Sequence, residues 1–296
     1  MAAISLDEIA AKVEAGGPLA DEDAEVLEAA RDIIALGMMA DSVRRKVHGP
    51  TATFLRVFDL KLAELRAGPR PVVPQAAGEV RIFETPDTLD AAIDVVFEAR
   101  ELAGAIPVSA FCLFELSSLS EGLPVVLSAL KSAGLEMITQ APLDRLESPE
   151  HALEAVGDAG LQLARLTIDE PPVREWARIC RQVAAHQRRL QSIRVFAPLP
   201  RHVDHTQPTT GYADVKRVAL SRLLIENVDT IQVDWALYGP KLAQVALTFG
   251  ADDIDSVPAI DDQSQGHRRS PIEEIRRSIE AASFVPAGRD ARFRLV

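Results

Sequence analysis

The pattern of apolar and polar positions divides this chain into a helical start and a longer alternation of strands and helices. Apolar residues recur at helical spacing over Leu19–Leu36 and Gly37–Val47, and His48-Gly49-Pro50 ends that pattern. Beyond this point short apolar runs bounded by turn residues begin. The first fifty residues therefore predict helices, and the rest predicts a mixed α/β arrangement.

Eight runs after residue 50 have the length and residue types of strands. They are Thr53–Leu60, Val80–Glu84, Val108–Glu115, Glu136–Gln140, Leu161–Asp169, Ser192–Leu199, Thr230–Trp235 and Asp253–Val257. Helical patterns lie at Leu89–Leu102, Leu123–Ala133, His151–Val156, Val173–Leu190, Ala213–Asn227, Lys241–Phe249 and Ile272–Ala282. Such alternation favours a parallel sheet, either closed or open and doubly wound, and the count of eight favours closure. We predict an α/β fold, a (βα)8 TIM-type barrel over 51–296 with a helical extension over 1–50 packed on it.

Polar residues within these strands predict what lines the barrel, because side chains alternate between the two faces of a strand. The polar residues predicted to point inward, as candidate substrate contacts, are Arg56, Glu84, Glu115, Gln140, Arg165, Thr167, Asp169, Arg194, Gln232 and Asp234. The same parity turns Phe196 inward. One interpretation is a set of internal ion pairs, for example Arg165 or Arg194 with Asp234. The other is a ligand site at the carboxyl ends of the strands, where arginines would bind a carboxylate or another anion.

Two loop segments add candidate chemistry. His202 and His205 follow the sixth strand at a spacing that suits a metal, but on a loop this spacing does not fix both rings on one face. No metal site is predicted, and His202 is a candidate substrate contact or a solvated side chain. Asp252 and Asp253, at the start of the last strand, are candidate contacts for a substrate hydroxyl or ribose.

Composition and charge narrow the class of protein. Hydrophobic content of 47% with 26% charged residues is typical of a folded globular chain, and no apolar run is long enough to span a bilayer. The net charge of -12 disfavours nucleic-acid and membrane partners, since both need a basic face. The acidic start of the chain carries no secretory signal, which predicts a cytoplasmic location. The two cysteines, Cys112 and Cys180, are expected to be small buried hydrophobes.

A carboxyl-terminal block carries a family resemblance. Pro208-Thr209-Thr210-Gly211, Ile231–Trp235, Pro240–Leu247 and Phe249–Asp255 resemble the closing third of radical S-adenosylmethionine enzymes that handle futalosine-type intermediates in menaquinone biosynthesis. Aminofutalosine synthase is the most similar, followed by dehypoxanthine futalosine cyclase and the deazaflavin-cofactor synthases. Leu36–Gly49 is similar to the family's leader. The resemblance implies a barrel with S-adenosylmethionine and a chorismate- or futalosine-derived substrate at its mouth.

The resemblance fails where the family holds its cofactors. There, a Cys-x3-Cys-x2-Cys loop after the first strand binds a four-iron four-sulfur cluster. Here the corresponding segment, Lys61–Gly68, has no cysteine, and the family's glycine-rich segments are not recognisable at Phe83–Pro86 or Thr139–Pro142. We therefore predict no cofactor: the cluster ligands are missing, and nothing in the sequence supports S-adenosylmethionine binding.

Three hypotheses for function follow. The leading one is a cluster-less paralogue, a pseudoenzyme of the futalosine pathway that acts as the partner of a cluster-bearing homologue or as a substrate-binding protein. The second is an enzyme with metal-free acid–base chemistry on a small anionic substrate at the barrel mouth. Its candidate groups are Glu84, Glu115, Asp169 or Asp234 near Arg165 and Arg194. The third is a barrel enzyme of another class.

Overall fold

The computed structural model describes residues 4–66, 69–170, 175–202, 210–261 and 270–296. The helices are α1 (Leu6–Ala15), α2 (Asp21–Ala29), α3 (Ile33–His48), α4 (Leu62–Arg66), α5 (Leu89–Ala103), α6 (Leu113–Leu116), α7 (Leu123–Ser132), α8 (Pro149–Asp158), α9 (Trp176–Leu190), α10 (Gly211–Leu224), α11 (Trp235–Leu247) and α12 (Pro271–Ala281). The strands are β1 (Thr51–Asp59), β2 (Glu79–Ile82), β3 (Val108–Cys112), β4 (Met137–Pro142), β5 (Gln162–Leu163), β6 (Leu166–Ile168), β7 (Val195–Pro200), β8 (Thr230–Asp234), β9 (Asp253–Pro258) and β10 (Val285–Arg289).

The strands close into a parallel barrel, as predicted. Neighbouring strands pair in the order β1-β2-β3-β4-β6-β7-β8-β9, and β9 pairs with β1, with Asp253 opposite Thr53. The short strands β5 and β6 both pair with β4 and share one position of the barrel. Consecutive helices cover the outside, so the (βα)8 prediction is confirmed.

The amino-terminal helices pack against the outer helices α9 and α10. The Glu28 carboxylate accepts a hydrogen bond of 2.6 Å from the Trp176 N–H, and the Lys216 ammonium donates to the Glu28 and Ala30 carbonyls at 2.7 and 2.6 Å. The helical pattern over Leu19–Leu36 is interrupted before Ile33, where the Asp32 side chain caps α3. The division at residue 50 into an extension and a barrel stays a prediction.

A carboxyl-terminal strand and turn close the amino-terminal end of the barrel, which we call the floor. Strand β10 was not predicted, and it pairs with the first half of β1, with Arg289 opposite Leu55. The following turn spans Asp290–Phe293, and its Ala291 N–H donates to the Gly78 carbonyl at 3.0 Å. A β-carbon on Gly78 would lie 2.6 Å from the Arg289 carbonyl oxygen, so this close approach requires glycine.

Two strands end earlier than their hydrophobic patterns indicate. β3 stops at Cys112, and the next four residues form α6 after a corner at Phe111, where φ is 68°. The run predicted as one strand over Leu161–Asp169 is split between β5 and β6 by Ala164 and Arg165. Among the described helices, none is both long and apolar enough to cross a membrane.

Candidate functional site

Three buried or half-buried arginines converge inside the barrel, from its middle to the carboxyl ends of its strands, which form the mouth. Each pairs with a carboxylate from another strand of the barrel. We call this set of six residues the arginine cluster: Glu79, Arg81, Arg165, Arg201, Asp234 and Asp255. The position of the cluster follows from the alternation of side chains along the strands. Arg81 belongs to β2, Asp255 belongs to β9, and Asp234 is the last residue of β8.

Arg81 is fully paired within the arginine cluster. Its guanidinium donates to Glu79 at 2.6 and 3.1 Å, to Asp255 at 2.8 and 3.1 Å, and to the Ser256 hydroxyl at 2.9 Å. Burial alone would raise the pKa of Glu79, but Arg81 outweighs burial and holds that pKa below its ordinary value. This half of the cluster is therefore a satisfied internal ion network.

Arg165 is not fully paired. Its Nη1 contacts the Asp255 carboxylate, which Arg81 shares, while its buried Nε and Nη2 have no hydrogen-bond partner among the described residues. The side chain is 1% exposed. Burial lowers the pKa of Arg165, and the nearby guanidinium groups of Arg81 and Arg201 lower it further. Two unmet donors on a buried guanidinium are costly unless an acceptor from outside the chain meets them.

The Phe83 ring lies among the three guanidinium groups. The Cζ atoms of Arg81, Arg165 and Arg201 are 5.6, 5.7 and 6.0 Å from its centroid, within the range of cation–π attraction. Phe83 directly follows β2 and is half-buried. The cluster thus combines guanidinium donors with an aromatic face, which suits an anion that carries a planar or apolar group.

Asp234 and Asp169 occupy different electrostatic environments. Arg201 binds Asp234 at 2.7 Å, and together with Arg165 it lowers the pKa of that carboxyl despite burial, which acts in the opposite direction. Asp234 also caps α11, accepting the Leu237 N–H at 2.9 Å. At Asp169, burial and then the neighbouring Asp144 raise the pKa. Asp169 is therefore the carboxyl of the mouth that is better suited to exchange a proton.

Gln232 points into the barrel as predicted, but at the floor, where its amide contacts Asp253 of β9. The Asp253 carboxylate accepts two hydrogen bonds of 2.6 Å from Arg289 and one of 2.8 Å from the Gln232 amide, and it also contacts the Thr53 hydroxyl. We call Thr53, Gln232, Asp253 and Arg289 the floor network. The floor network lies at the end of the barrel opposite the mouth. Gln232 and Asp253 are therefore not near the open side of the arginine cluster.

Asp252 lies outside the barrel interior. Its buried carboxylate pairs with Arg222 of α10, accepts the Ile231 N–H at 2.9 Å and lies 3.5 Å from His48 Nε2. Burial raises the pKa of Asp252, and Arg222 opposes that shift. These contacts tie α3 and α10 to the strand ends, and the expectation that Asp252 meets a substrate hydroxyl or ribose stays a prediction.

Four other predicted residues do not join the arginine cluster. Arg56 pairs with Asp261 at 2.9 Å, the exposed Glu84 carboxylate accepts the Leu62 N–H at 2.9 Å, and Glu115 is exposed on α6. On β4 the inward residue is Thr139, whose hydroxyl donates to Ser109 at 3.1 Å, so the adjacent Gln140 faces the other way. Glu84 and Glu115 were assigned to strands because the predicted strands extended past the residues at which β2 and β3 end, Ile82 and Cys112.

The predicted parity of the sixth strand is reversed. Phe196 stacks on Trp176 of α9 with ring centroids 6.2 Å apart, so it faces the helices and not the interior. Arg194 precedes β7 at the floor, where its guanidinium lies 3.9 Å from the Phe293 centroid. A shift of one residue exchanges the two faces of a strand. The arginine that points inward at this strand is Arg201, which was not predicted as a site residue. Nor were four other residues of this region: Arg81, Glu79, Asp255 and Phe83.

The remaining candidates lie near the mouth or fall outside the described structure. Thr167 is buried in β6, and its hydroxyl has no hydrogen-bond partner among the described residues. His202 is exposed, with its N–H 3.4 Å from the Asp169 carbonyl. His205 lies outside the described residues. Across the described ranges, no group of three or more His, Cys, Asp or Glu side chains could hold a metal ion.

The cysteines do not fit an iron–sulfur cluster. Cys112 ends β3, whereas Cys180 lies on α9 with its Sγ 3.9 Å from the Ser221 hydroxyl. Both thiols are buried, and burial raises the pKa of Cys180 to about 12. Two thiols on separate elements do not make the three-thiolate set that such a cluster needs.

Solved structures define the class of fold. The chain is similar to methylornithine synthase (PylB) with a TM-score of 0.67 and 14% identity, over 96% of this chain and 97% of that one. It is also similar to the FeFe-hydrogenase maturase HydG from Carboxydothermus hydrogenoformans, with a TM-score of 0.63 and 14% identity, over 95% of this chain and 79% of that one. At this identity the likeness shows a shared barrel fold.

Sequence relatives define the lineage of the carboxyl-terminal third. Residues 198–296 match the family described as the CofH/MqnC C-terminal region. Aminodeoxyfutalosine synthase of Thermus thermophilus is 34% identical over 104 residues, which are 33% of this chain and 28% of that protein. A 5-amino-6-(D-ribitylamino)uracil–L-tyrosine 4-hydroxyphenyl transferase of Methanosarcina barkeri is 37% identical over 95 residues, which are 30% of this chain and 24% of that protein.

The resemblance predicted from the carboxyl-terminal block is confirmed by these relatives. The match spans only about a quarter of the relatives' length, so it covers one part of each protein. The matched third nevertheless includes Arg201, Asp234 and Asp255 of the arginine cluster and three members of the floor network. Both ends of the barrel interior therefore draw residues from the segment of known relationship.

Proposed function

We propose that this chain is a cluster-less relative of the aminodeoxyfutalosine synthases that binds a small anionic intermediate of menaquinone biosynthesis at the barrel mouth. The observation that carries the proposal is Arg165, buried in the barrel with two guanidinium nitrogens unpartnered. An anion that reached Arg165 past Arg201 and Phe83 would meet those donors. A carboxylate suits them best, because it accepts paired hydrogen bonds from a guanidinium fork.

We further propose that the protein acts in the cytoplasm as the partner of a cluster-bearing homologue. Two observations support this role: the similarity to aminodeoxyfutalosine synthases over the carboxyl-terminal third, and the presence of only two cysteines, both buried. No step of radical chemistry is assigned to the chain's own residues. Its part is to hold the anion in the low-dielectric interior and to exclude water from it.

A second candidate is acid–base catalysis on the same anion, and Asp169 favours it. Burial and Asp144 raise the pKa of Asp169, and the nearby Arg201 would orient the substrate. In this alternative Asp169 moves the proton, while Asp234 stays ionised because Arg201 and α11 engage its carboxylate. Glu84 and Glu115 are the other acidic residues predicted for this chemistry. The exposed Glu84 carboxylate accepts the Leu62 N–H, and Glu115 is exposed on α6.

Titration calorimetry with chorismate as the probe tests the binding site. We expect Arg165→Met to weaken binding by about 10- to 100-fold, since hydrogen bonds to a charged group are lost. Arg276→Gln serves as the matched control, because Arg276 is an exposed arginine of α12 that pairs with Glu273 at 3.7 Å. Absence of binding to the wild type, or equal binding by both variants, would contradict the mouth site.

Two further measurements separate the alternatives. A stoichiometric content of iron and sulfide in the anaerobically purified protein would contradict the cluster-less assignment. A partner role predicts co-purification with the cluster-bearing homologue and no turnover by this chain alone. Turnover without a partner, lost in Asp169→Asn while chorismate binding is kept, would instead support acid–base catalysis.

A further inference from the structure

A cavity of about 280 Å³ lies at the floor, on the side away from the mouth. One wall is the turn that contains Ala291, Arg292 and Phe293, and the opposite wall is the last part of α8. The lining combines buried apolar side chains of α8, Leu153 and Val156, with polar side chains. The cavity therefore offers a partly open volume of mixed polarity at a barrel end that usually serves stability.

Arg194 gives this cavity a cation that forms no ion pair among the described residues, although the Asp229 and Asp253 carboxylates act on it from a longer distance. Its guanidinium lies 3.9 Å from the Phe293 centroid, and Arg289 lies 3.8 Å from the same centroid. Within the described part of the chain, no carboxylate is within ion-pair distance of Arg194. The other arginine of the lining, Arg292, is already bound to Glu136 at 2.8 Å. One guanidinium is thus held in place by the Phe293 ring and left available to a ligand.

We propose that the floor cavity binds a small organic monocarboxylate with an apolar body, such as an aryl or short alkyl acid. The carboxylate would pair with Arg194, and the apolar body would contact Leu153 and Val156. A single free guanidinium matches a monoanion, and the cavity's size lies near the lower end of the range for ligand pockets, about 300 Å³. The inference is independent of the proposed function, because no residue of the arginine cluster lines this cavity.

The occupant would also stabilise the turn that closes the floor. Phe293 has a φ of 64°, a left-handed conformation that is unfavourable for a residue with a side chain. The ligand and the Phe293 ring would both contact the Arg194 guanidinium, so bound ligand would favour the closed turn. Binding is therefore expected to raise the melting temperature in a concentration-dependent way.

Gly157 allows a sharp test of this cavity. It lines the cavity on α8, and a β-carbon built on it meets no atom within 4 Å. Gly157→Ala therefore leaves the cavity open, whereas Gly157→Phe adds a ring at the edge of the cavity. Arg194→Gln removes the cation and keeps much of the side chain's length.

The probe is 4-fluorobenzoate, followed by fluorine NMR on the whole chain, with 4-fluorobenzamide as the neutral control. We expect wild type and Gly157→Ala to bind alike, Gly157→Phe and Arg194→Gln to bind at least about tenfold more weakly, and the amide not to bind. Circular dichroism of each variant verifies folding. Unchanged binding in Arg194→Gln would overturn the proposal, and so would loss of binding in Arg165→Met alone, which would move the probe to the mouth.

Discussion

The floor network and the arginine cluster both bury arginines beside carboxylates, yet only the floor network pairs its arginine fully. At the floor, Asp253 receives two hydrogen bonds of 2.6 Å from Arg289 and a third from Gln232. In the arginine cluster, Asp255 is shared by Arg81 and Arg165, and Arg165 keeps two unpartnered nitrogens. A buried charge by itself is thus a poor sign of a binding site. A buried donor that the fold leaves unmet is a better one.

The position of each network agrees with this distinction. In barrels of this class, residues at the carboxyl ends of the strands serve function, and residues at the amino ends serve stability. The floor network joins β1, β8, β9 and β10, so it fastens the carboxyl-terminal strand to the barrel. If the comparison is right, substitutions in the floor network change stability most, and substitutions in the arginine cluster change binding at the mouth.

The largest expected effect is on stability, from Arg289→Met. The change leaves the Asp253 carboxylate buried without its cationic partner, which destabilises proteins by about 3–5 kcal/mol. Urea denaturation followed by circular dichroism gives the free energy of unfolding. The double variant Arg289→Met with Asp253→Asn should recover part of the loss, because no unpaired charge then remains. A loss below about 1 kcal/mol in Arg289→Met would show that the floor is not held by this pair.

Acid pH should destabilise the floor through Asp253, whereas protonation of the mouth carboxyl Asp169, which occurs first as pH falls, should not destabilise the protein. Arg289 holds the pKa of Asp253 below its ordinary 3.8, against the effect of burial. The stability from Asp253 is therefore present above its unfolded pKa and is lost as pH falls through the folded pKa. The pKa of Asp169 is raised, so its contribution is greatest at low pH and is lost as pH rises through the folded pKa.

Melting temperatures between about pH 6 and about pH 3 test this difference in sign. We expect Asp253→Asn to flatten the fall in stability of the wild type, since the titrating carboxyl is gone. Asp169→Asn should leave that fall in stability at least as steep, because it removes a group whose contribution to stability is greatest at low pH. Equal flattening by both variants would contradict the separation of the two ends.

The sequence was sufficient for the barrel but only partly sufficient for its interior. Strand and helix alternation depends on local patterns of apolar residues, and these located all eight barrel positions. The side-chain parity of each strand depends on where it begins, which is a tertiary property. Arg165 and Asp234 were correctly predicted to point inward. At β7 the predicted parity was wrong, so Arg194 was predicted to point inward, whereas Arg201 does so.

The inward orientation of Arg81 and the presence of strand β10 could not be predicted from the local sequence pattern. Arg81 lies in a four-residue strand between Glu79 and Phe83, too short for alternation to indicate a face. Strand β10 reads Val285-Pro286-Ala287-Gly288-Arg289, and its proline and glycine argue against a strand. It forms because β1 offers an open edge below β2, which only the closed barrel creates.

The smallest expected effects concern one histidine at each end. His48 Nε2 bonds to the Asp229 carbonyl at 2.8 Å and lies 3.5 Å from Asp252, so His48→Gln should lower the free energy of unfolding by about 1 kcal/mol. His202 is exposed at the mouth, and His202→Gln should change stability by less than about 0.5 kcal/mol. Urea denaturation of both variants at one pH measures the difference. A loss in His202→Gln equal to that in His48→Gln would mean that the rim of the mouth is also built for stability, and the contrast between the two ends would then rest on Arg165 alone.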